Sequence, residues 1–335
     1  MSGKYNLSVL FLGLIPWLTS QGQQKYLFQE PKMGSPFTII IYGDDSAKAA
    51  EAARAAFLKV DTLNYYFSDY LDNSELSKLS RSSGSGKYVP VSAELFDLLK
   101  RSKEASRLSQ GSFDITIGPL VKLWRRARKE KTFPRSDSLK AALAFTGYRH
   151  ILLRTKQQAV KLDIPGMQLD LGGIAKGYAA TEALNVLRTK GFPCAMVNAG
   201  GDIAAGAPPP GRKGWRIGIG IPEKTDGYLP ETVSLKYRAV ATSGDVYQRL
   251  SWQGKQYSHI IDPKTGLGIT TPRNVTVIAA DGATADWLAS ACSILPVKKA
   301  LRLVRKLPHT ELYIVEKRSD TLYRIASPGF QDFNP

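Results

Sequence analysis

The chain has little of what many catalytic mechanisms use. It holds two cysteines and three histidines in 335 residues, and 29 acidic residues against 46 basic ones. Two cysteines make no disulfide framework. Cys194 and Cys292 sit among apolar neighbours and are expected to be buried free thiols, which argues against a cysteine nucleophile. The apolar run Leu7–Leu18 falls short of the roughly 20 residues a bilayer-spanning helix needs. It has the length of a signal-peptide core, so residues 1–21 read as an export signal and 22–335 as one mature domain. No cysteine lies near the expected cleavage point, so no lipid anchor is expected.

The composition, 43% hydrophobic and 22% charged, is that of a globular domain. A net charge of +17 attracts nucleic acid, anionic membrane or polyphosphate ligands. The denser basic runs, Lys122–Lys131 and Lys298–Lys306, read as solvated helix faces. No RNA-binding signature with interleaved aromatics occurs, so nucleic acid is not expected as a partner. Peripheral membrane association stays an expectation.

Helical and strand patterns alternate without a regular βαβ rhythm, which predicts a mixed α/β (α+β) single domain. FTIIIY (37–42) reads as a strand, 46–66 as a helix, and 92–110 as a helix capped by Ser92 and stopped by Gly111. HILLR and AVKLD read as a strand pair across TKQQ. Further strands are CAMVNAG, WRIGIGI, TVSLKYRAVAT, YSHIID and VTVIAA, followed by helices over 284–295 and 297–307 and a terminal strand pair.

The most informative stretch is DLGGIAKGYAATEALNVL (170–187). An apolar segment ends in Asp170, two glycines follow, and Lys176 falls in the first turn of a helix. Unpaired N–H groups, the positive helix end and the lysine describe an anion site, with phosphate the common occupant. The corner carries neither the P-loop pattern nor the dinucleotide glycine fingerprint. Asp170 beside a phosphate would repel it, unless it meets a ligand hydroxyl or ring N–H, which points to a nucleotide.

Four further segments carry chemistry. In GATADWLASAC (282–292), Asp286 and Ser290 are four apart and share a helix face, offering oxygen ligands suited to Mg²⁺. In YSHIIDPKTGLG (257–268), His259 has a side chain able to take a proton near neutrality. GSFDITIGP (111–119) places an aspartate in an apolar setting, and the paired glycines of NAGGDI (198–203) permit close backbone approach. Each segment also has a purely structural reading.

Taken in order, MGSPF, DNSELSKLS, GSFDITIGPLVKLW, LDLGGIAKGYA, NAGGDI, ATSGD, YSHIIDPKTG and ATADWLASA resemble the ApbE family of FAD:protein FMN transferases, over about residues 33–295. The resemblance implies a T-fold-like domain that binds FAD as substrate and Mg²⁺ as cofactor. It implies that Met33, Tyr70, Ser112, Phe113, Asp114, Asp170, Lys176 and Ile260 line the FAD site. It further implies that Gly173, Asp286, Ala289 and Ser290 hold Mg²⁺, and that His259 and Asp286 are catalytic. The implied reaction transfers FMN from FAD to a Ser/Thr hydroxyl of an exported or membrane redox protein and releases AMP. This chain departs from the family at Ala289, where many members have aspartate, and in YLDNS, where they have Tyr-Arg-Pro-Asp-Ser. A Mg²⁺-dependent FAD pyrophosphatase and an FAD-binding protein without transfer are the alternatives.

Overall fold

The computed structural model describes residues 23–222, 228–244, 249–319 and 321–333. The expected signal segment and Asp245 of ATSGD lie outside the described residues.

An eight-stranded sheet forms the backbone of the fold. Its strands are β1 (Gln24–Lys32), β2 (Ser35–Gly43), β3 (Ala195–Ala199), β4 (Asp202–Ala205), β5 (Arg238–Ser243), β6 (Arg273–Ala279), β7 (Glu311–Arg318) and β8 (Thr321–Ala326). Their order in space is their order along the chain, and every neighbouring pair is antiparallel. The sheet is thus one long meander, with the helices inserted between its strands.

Among the described residues eight α-helices follow in chain order: α1 (Ser46–Phe67), α2 (Glu75–Arg81), α3 (Ala93–Leu108), α4 (Gly118–Glu130), α5 (Ser136–Ala144), α6 (Ala175–Thr189), α7 (Gly282–Ile294) and α8 (Val297–Val304). Asp45 caps α1 by accepting the N–H groups of Ala47 and Lys48, and Ser92 caps α3 through Leu95 N–H.

Period-two alternation decides which face each strand buries. On β2, Phe37, Ile39 and Ile41 point toward α1, α6 and α7 and join the main core, while Ile40 and Tyr42 face the other side. That second side is closed by Trp215, Leu229, Val233, Leu235 and Phe330. Strand β6 is buried along its whole length, as a central strand covered on both faces should be.

Most expected elements are present within a few residues. Two differ: YSHIID is strand only at Tyr257–Ser258, with Ile261 in an isolated bridge to Gly268, and TVSLKYRAVAT is not a single strand. Tyr237 has φ +51°, which turns the chain after Leu235. Tyr228–Leu235 pairs with Trp215–Gly220 in a hairpin outside the sheet, and Arg238–Ser243 becomes β5. Among the described residues no helix is long and apolar enough to cross a membrane.

The contact that positions the site is the crossing of α6 and α7. Gly177 and Gly282 meet backbone to backbone, and a Cβ on Gly177 would lie 2.0 Å from the Gly282 carbonyl oxygen. No rotamer change relieves a clash with backbone. Gly177→Ala should therefore cost about 3 kcal/mol in urea unfolding, and Gly282→Ala, whose Cβ would meet the Gly177 oxygen at 2.1 Å, a similar amount. A loss below about 0.5 kcal/mol for both would contradict this packing. Both cysteines are buried and free, and burial pushes the Cys292 thiol up to about 12 and raises Cys194 as well. A thiol reagent should label neither in native protein and both in denaturant.

Candidate functional site

Three loops and two helices converge on the α6–α7 crossing. Lys176, the second residue of α6, reaches Asp202 with its Nζ 2.6 Å from Oδ2. Asp202 begins β4 directly after the Gly200–Gly201 turn, both of whose glycines have positive φ. From α7, Asp286 accepts the Gly177 N–H at 3.2 Å through Oδ2. Ser290, one turn later, faces Gly173: an alanine Cβ at Gly173 would lie 2.9 Å from Ser290 Oγ and 3.3 Å from Phe113 Cε2. Residues 113, 173, 176, 202, 286 and 290 therefore share one locus.

The charges there do not balance. Asp202 and Asp286 are buried, and only Lys176 lies between them. Burial opposes the Lys176 charge, but Asp202 and Asp286 outweigh it and hold its pKa above the ordinary value. Lys176 pairs with Asp202, so Asp286 is the surplus carboxylate. Burial and the nearby Asp202 push Asp286 well above the usual carboxylate range.

The helix N-terminus is less open than a bare helix end. Gly172 N–H is taken by Asp170 Oδ1 at 2.8 Å, Gly177 N–H by Asp286, and the Ile174 and Ala175 amides by the Leu171 carbonyl. The amides of Gly173 and Lys176 have no protein acceptor among the described residues. Gly172 is exposed and Gly173 half-buried, so a ligand can approach them.

Asp170 holds this corner. One oxygen takes Gly172 N–H, and the other lies 3.1 Å from Arg125 of α4. Arg125 also grips Asp69 and stacks 4.1 Å over the ring of Tyr70, which is otherwise exposed. The expected ligand residues Tyr70 and Asp170 are thus tied together by an arginine that had been read as part of a solvated run. That reading of Lys122–Lys131 is corrected for Arg125 and for Arg128, both half-buried on the inner side of α4. Their i, i+3 spacing on the helix that buries Trp124 was the available signal.

Of GSFDITIGP, Phe113 lies against Gly173. Both Asp114 oxygens are engaged, Oδ1 by the Thr116 N–H and hydroxyl and Oδ2 by Tyr148 N–H, so this carboxylate holds its own turn instead of facing a ligand. Ser112 is buried behind it. Met33 stands at the β1–β2 turn, and the adjoining Ser35 packs against Gly200 so closely that a Cβ there would lie 2.7 Å from Ser35 Cβ. The Met33 turn therefore abuts the loop that carries Asp202.

His259 lies in the segment after the short strand Lys255–Ser258. Its ring is open to water yet crowded by protein, as at the wall of a cleft; the crowding, Arg128 and Lys176 lower its pKa to about 4. The imidazole is neutral at pH 7. Ile260 beside it is buried, with its N–H on Ser258 Oγ and its carbonyl on Ile269 N–H.

No cluster of three or more His, Cys, Asp or Glu stands ready for a metal among the described residues. Asp286 and the Ser290 hydroxyl, which has no protein partner among the described residues, are oxygen donors next to the Gly173 backbone, and burial with the nearby Asp202 disfavours the Asp286 charge unless a cation joins it. They fit a hard cation that completes its shell with water and phosphate. Ala289 does not fit: its carbonyl is inside α7 and accepts Ser293 Oγ at 2.9 Å. That expected ligand is withdrawn. Two surface cavities, one of about 400 Å³ beside Gly34 and one of about 300 Å³ between Asp69 and Gln168, are lined by none of the residues of this locus.

Residues 33–314 match the model of the ApbE family. The chain is 31% identical over 307 residues to an FAD:protein FMN transferase of Treponema pallidum, covering 87% of this chain and 84% of that one. It is 29% identical over 312 residues to one of Klebsiella pneumoniae, covering 92% and 94%. The solved flavin transferase ApbE of Vibrio cholerae superposes with a TM-score of 0.83 at 28% identity, covering 93% of this chain and 99% of that one. The ApbE protein of Thermotoga maritima gives 0.83 at 30% identity, covering 93% and 100%. With the motifs, the sheet order and the site in place, the chain belongs to the ApbE family of flavin transferases.

Proposed function

We propose that this protein transfers FMN from FAD to a threonine or serine hydroxyl of an exported or membrane redox protein, in a Mg²⁺-dependent reaction that releases AMP. The observation that carries this reading is the convergence of Lys176, Asp286, Ser290 and the open Gly172–Gly173 backbone on one locus.

Gly173 and Lys176 offer N–H groups and a cation to the FAD diphosphate, while Phe113 and Met33 border it. Asp286 and Ser290 would hold Mg²⁺, which when bound neutralises phosphate charge. Tyr70, fixed beneath Arg125, presents an exposed aromatic face for a flat ring. The acceptor hydroxyl oxygen attacks the FMN-side phosphorus as the phosphorus–oxygen bond to AMP breaks. The hydroxyl proton passes to neutral His259, and AMP leaves with the bonding pair. Catalysis by positioning and charge neutralisation suits phosphoryl transfer, which needs little covalent help. Because His259 is open to water, the same arrangement supports hydrolysis of FAD to FMN and AMP when no acceptor is bound. We place the enzyme in the exported compartment, at or near a membrane, on the reading of residues 1–21.

The test is incubation of the protein with FAD, Mg²⁺ and an acceptor bearing a Ser/Thr target. Flavin fluorescence surviving on the acceptor in a denaturing gel, with equimolar AMP, is the expected result. Free FMN alone would make the protein a hydrolase, and intact FAD would make it a binding protein. His259→Ala should retain FAD binding and lose at least about a hundredfold in transfer; unchanged transfer would remove it as the base. Lys176→Ala should weaken FAD retention, and Asp286→Ala should abolish both turnover and its response to Mg²⁺.

Acidity gives an independent check. Burial, with the Arg128 and Lys176 charges, holds the imidazole neutral in free enzyme, so the acid limb of kcat/KM should fall below the ordinary histidine value of about 6.5. Bound diphosphate counters those charges, so the limb of kcat should lie at higher pH. Coincident limbs near 6.5 would contradict this account.

A further inference from the structure

Among the described residues Arg128 is a cation without a partner. Its Nη1 is buried and makes no hydrogen bond, whereas Arg125, one turn earlier on α4, is satisfied by Asp69, Asp170 and the face of Tyr70. Leaving a guanidinium N–H buried and unpaired is unfavourable unless something else occupies the place.

Its position is set by packing. Trp124 donates its indole N–H to the Gly266 carbonyl at 2.8 Å, and its ring lies 5.7 Å from that of Tyr257. These contacts lay α4 against the 257–268 segment, in one cluster with Leu120, Ala127 and Ile261. Arg128 follows Trp124 by one turn, close enough to His259 for its charge to act on the imidazole, as the charge of Lys176 does from α6. The charges of Arg128 and Lys176 thus both act on His259; Lys176 is paired to Asp202, and Arg128 has no partner among the described residues.

We propose that Arg128 is a phosphoryl-binding residue, whose guanidinium takes the non-bridging oxygens of the phosphoryl group at His259. This deepens the transferase reading and rests on it. The planar fork of arginine matches phosphate oxygens in a way a single ammonium does not. A second cation whose charge, like that of Lys176, acts at His259 would stabilise the phosphoryl oxygens as charge redistributes during transfer.

FMN and riboflavin differ only in the phosphoryl group, so their comparison isolates this contact. Each is titrated into wild-type protein, Arg128→Ala and Arg128→Lys, with flavin fluorescence as the readout. Wild type should prefer FMN over riboflavin by about tenfold or more. Arg128→Ala should lose most of that preference while binding riboflavin as before, and Arg128→Lys, which keeps the charge without the fork, should fall between. If Arg128→Ala is poorly folded by circular dichroism, the Lys variant decides: full wild-type preference overturns the proposal. A preference unchanged in Arg128→Ala, or an equal loss for both flavins, also overturns it. A wild type that transfers flavin while Arg128→Ala keeps its FMN preference sinks this inference alone; a wild type that binds neither FMN nor FAD sinks the transferase reading with it.

Discussion

Lys176 carries one positive charge between two buried carboxylates, and the rest of the site follows from that shortage. It satisfies Asp202 at 2.6 Å and leaves Asp286 as surplus negative charge against the backbone of α6. An unpaired buried carboxylate is costly unless it is neutralised by a proton or a cation. The protein holds this arrangement because Gly177 and Gly282 let α6 and α7 touch backbone to backbone, which brings Asp286 and Ser290 to the start of α6. A ligand that brings a cation and a diphosphate together resolves the imbalance, and FAD with a divalent ion is such a ligand.

The opposite wall is built by α4 with the reverse excess. Arg125 is consumed in tying Asp69, Tyr70 and Asp170 into one unit, which fixes the entry to the glycine corner. Arg128 is left over, as Asp286 is left over on the other side. His259 stands near both Arg128 and Lys176, open to water, where a neutral imbiber of protons is of use. The sheet contributes position instead of chemistry: its turns at Met33–Gly34 and Gly200–Gly201 bring Met33 and Asp202 to the same edge.

Much of this was legible in the sequence because its causes are local. The alternation in FTIIIY, the Ser92 cap and the glycine corner before Lys176 each specify an element through near neighbours. The family motifs supplied Lys176, Asp286, Ser290 and Gly173, which the fold gathers in one place. What was not legible depends on distant partners. NAGGDI was noticed for its glycines, yet nothing local says that Asp202 meets a lysine 26 residues earlier. The run KLWRRARKEK looked solvated because its charge gives no sign that Arg125 faces an aspartate 45 residues later. Asp114 and Ala289 illustrate a related point: only the fold shows that their oxygens already have partners. The single strand expected over TVSLKYRAVAT broke where Tyr237 takes a left-handed conformation.

The central claim is that one locus binds a divalent ion and a diphosphate as a unit. Calorimetric titration of FAD with and without Mg²⁺, and of Mg²⁺ with and without FAD, measures that coupling directly. By reciprocal linkage each should raise the affinity of the other by the same factor, about tenfold or more, and Asp286→Asn should remove the coupling. Affinities for FAD and Mg²⁺ that are independent of one another would contradict it.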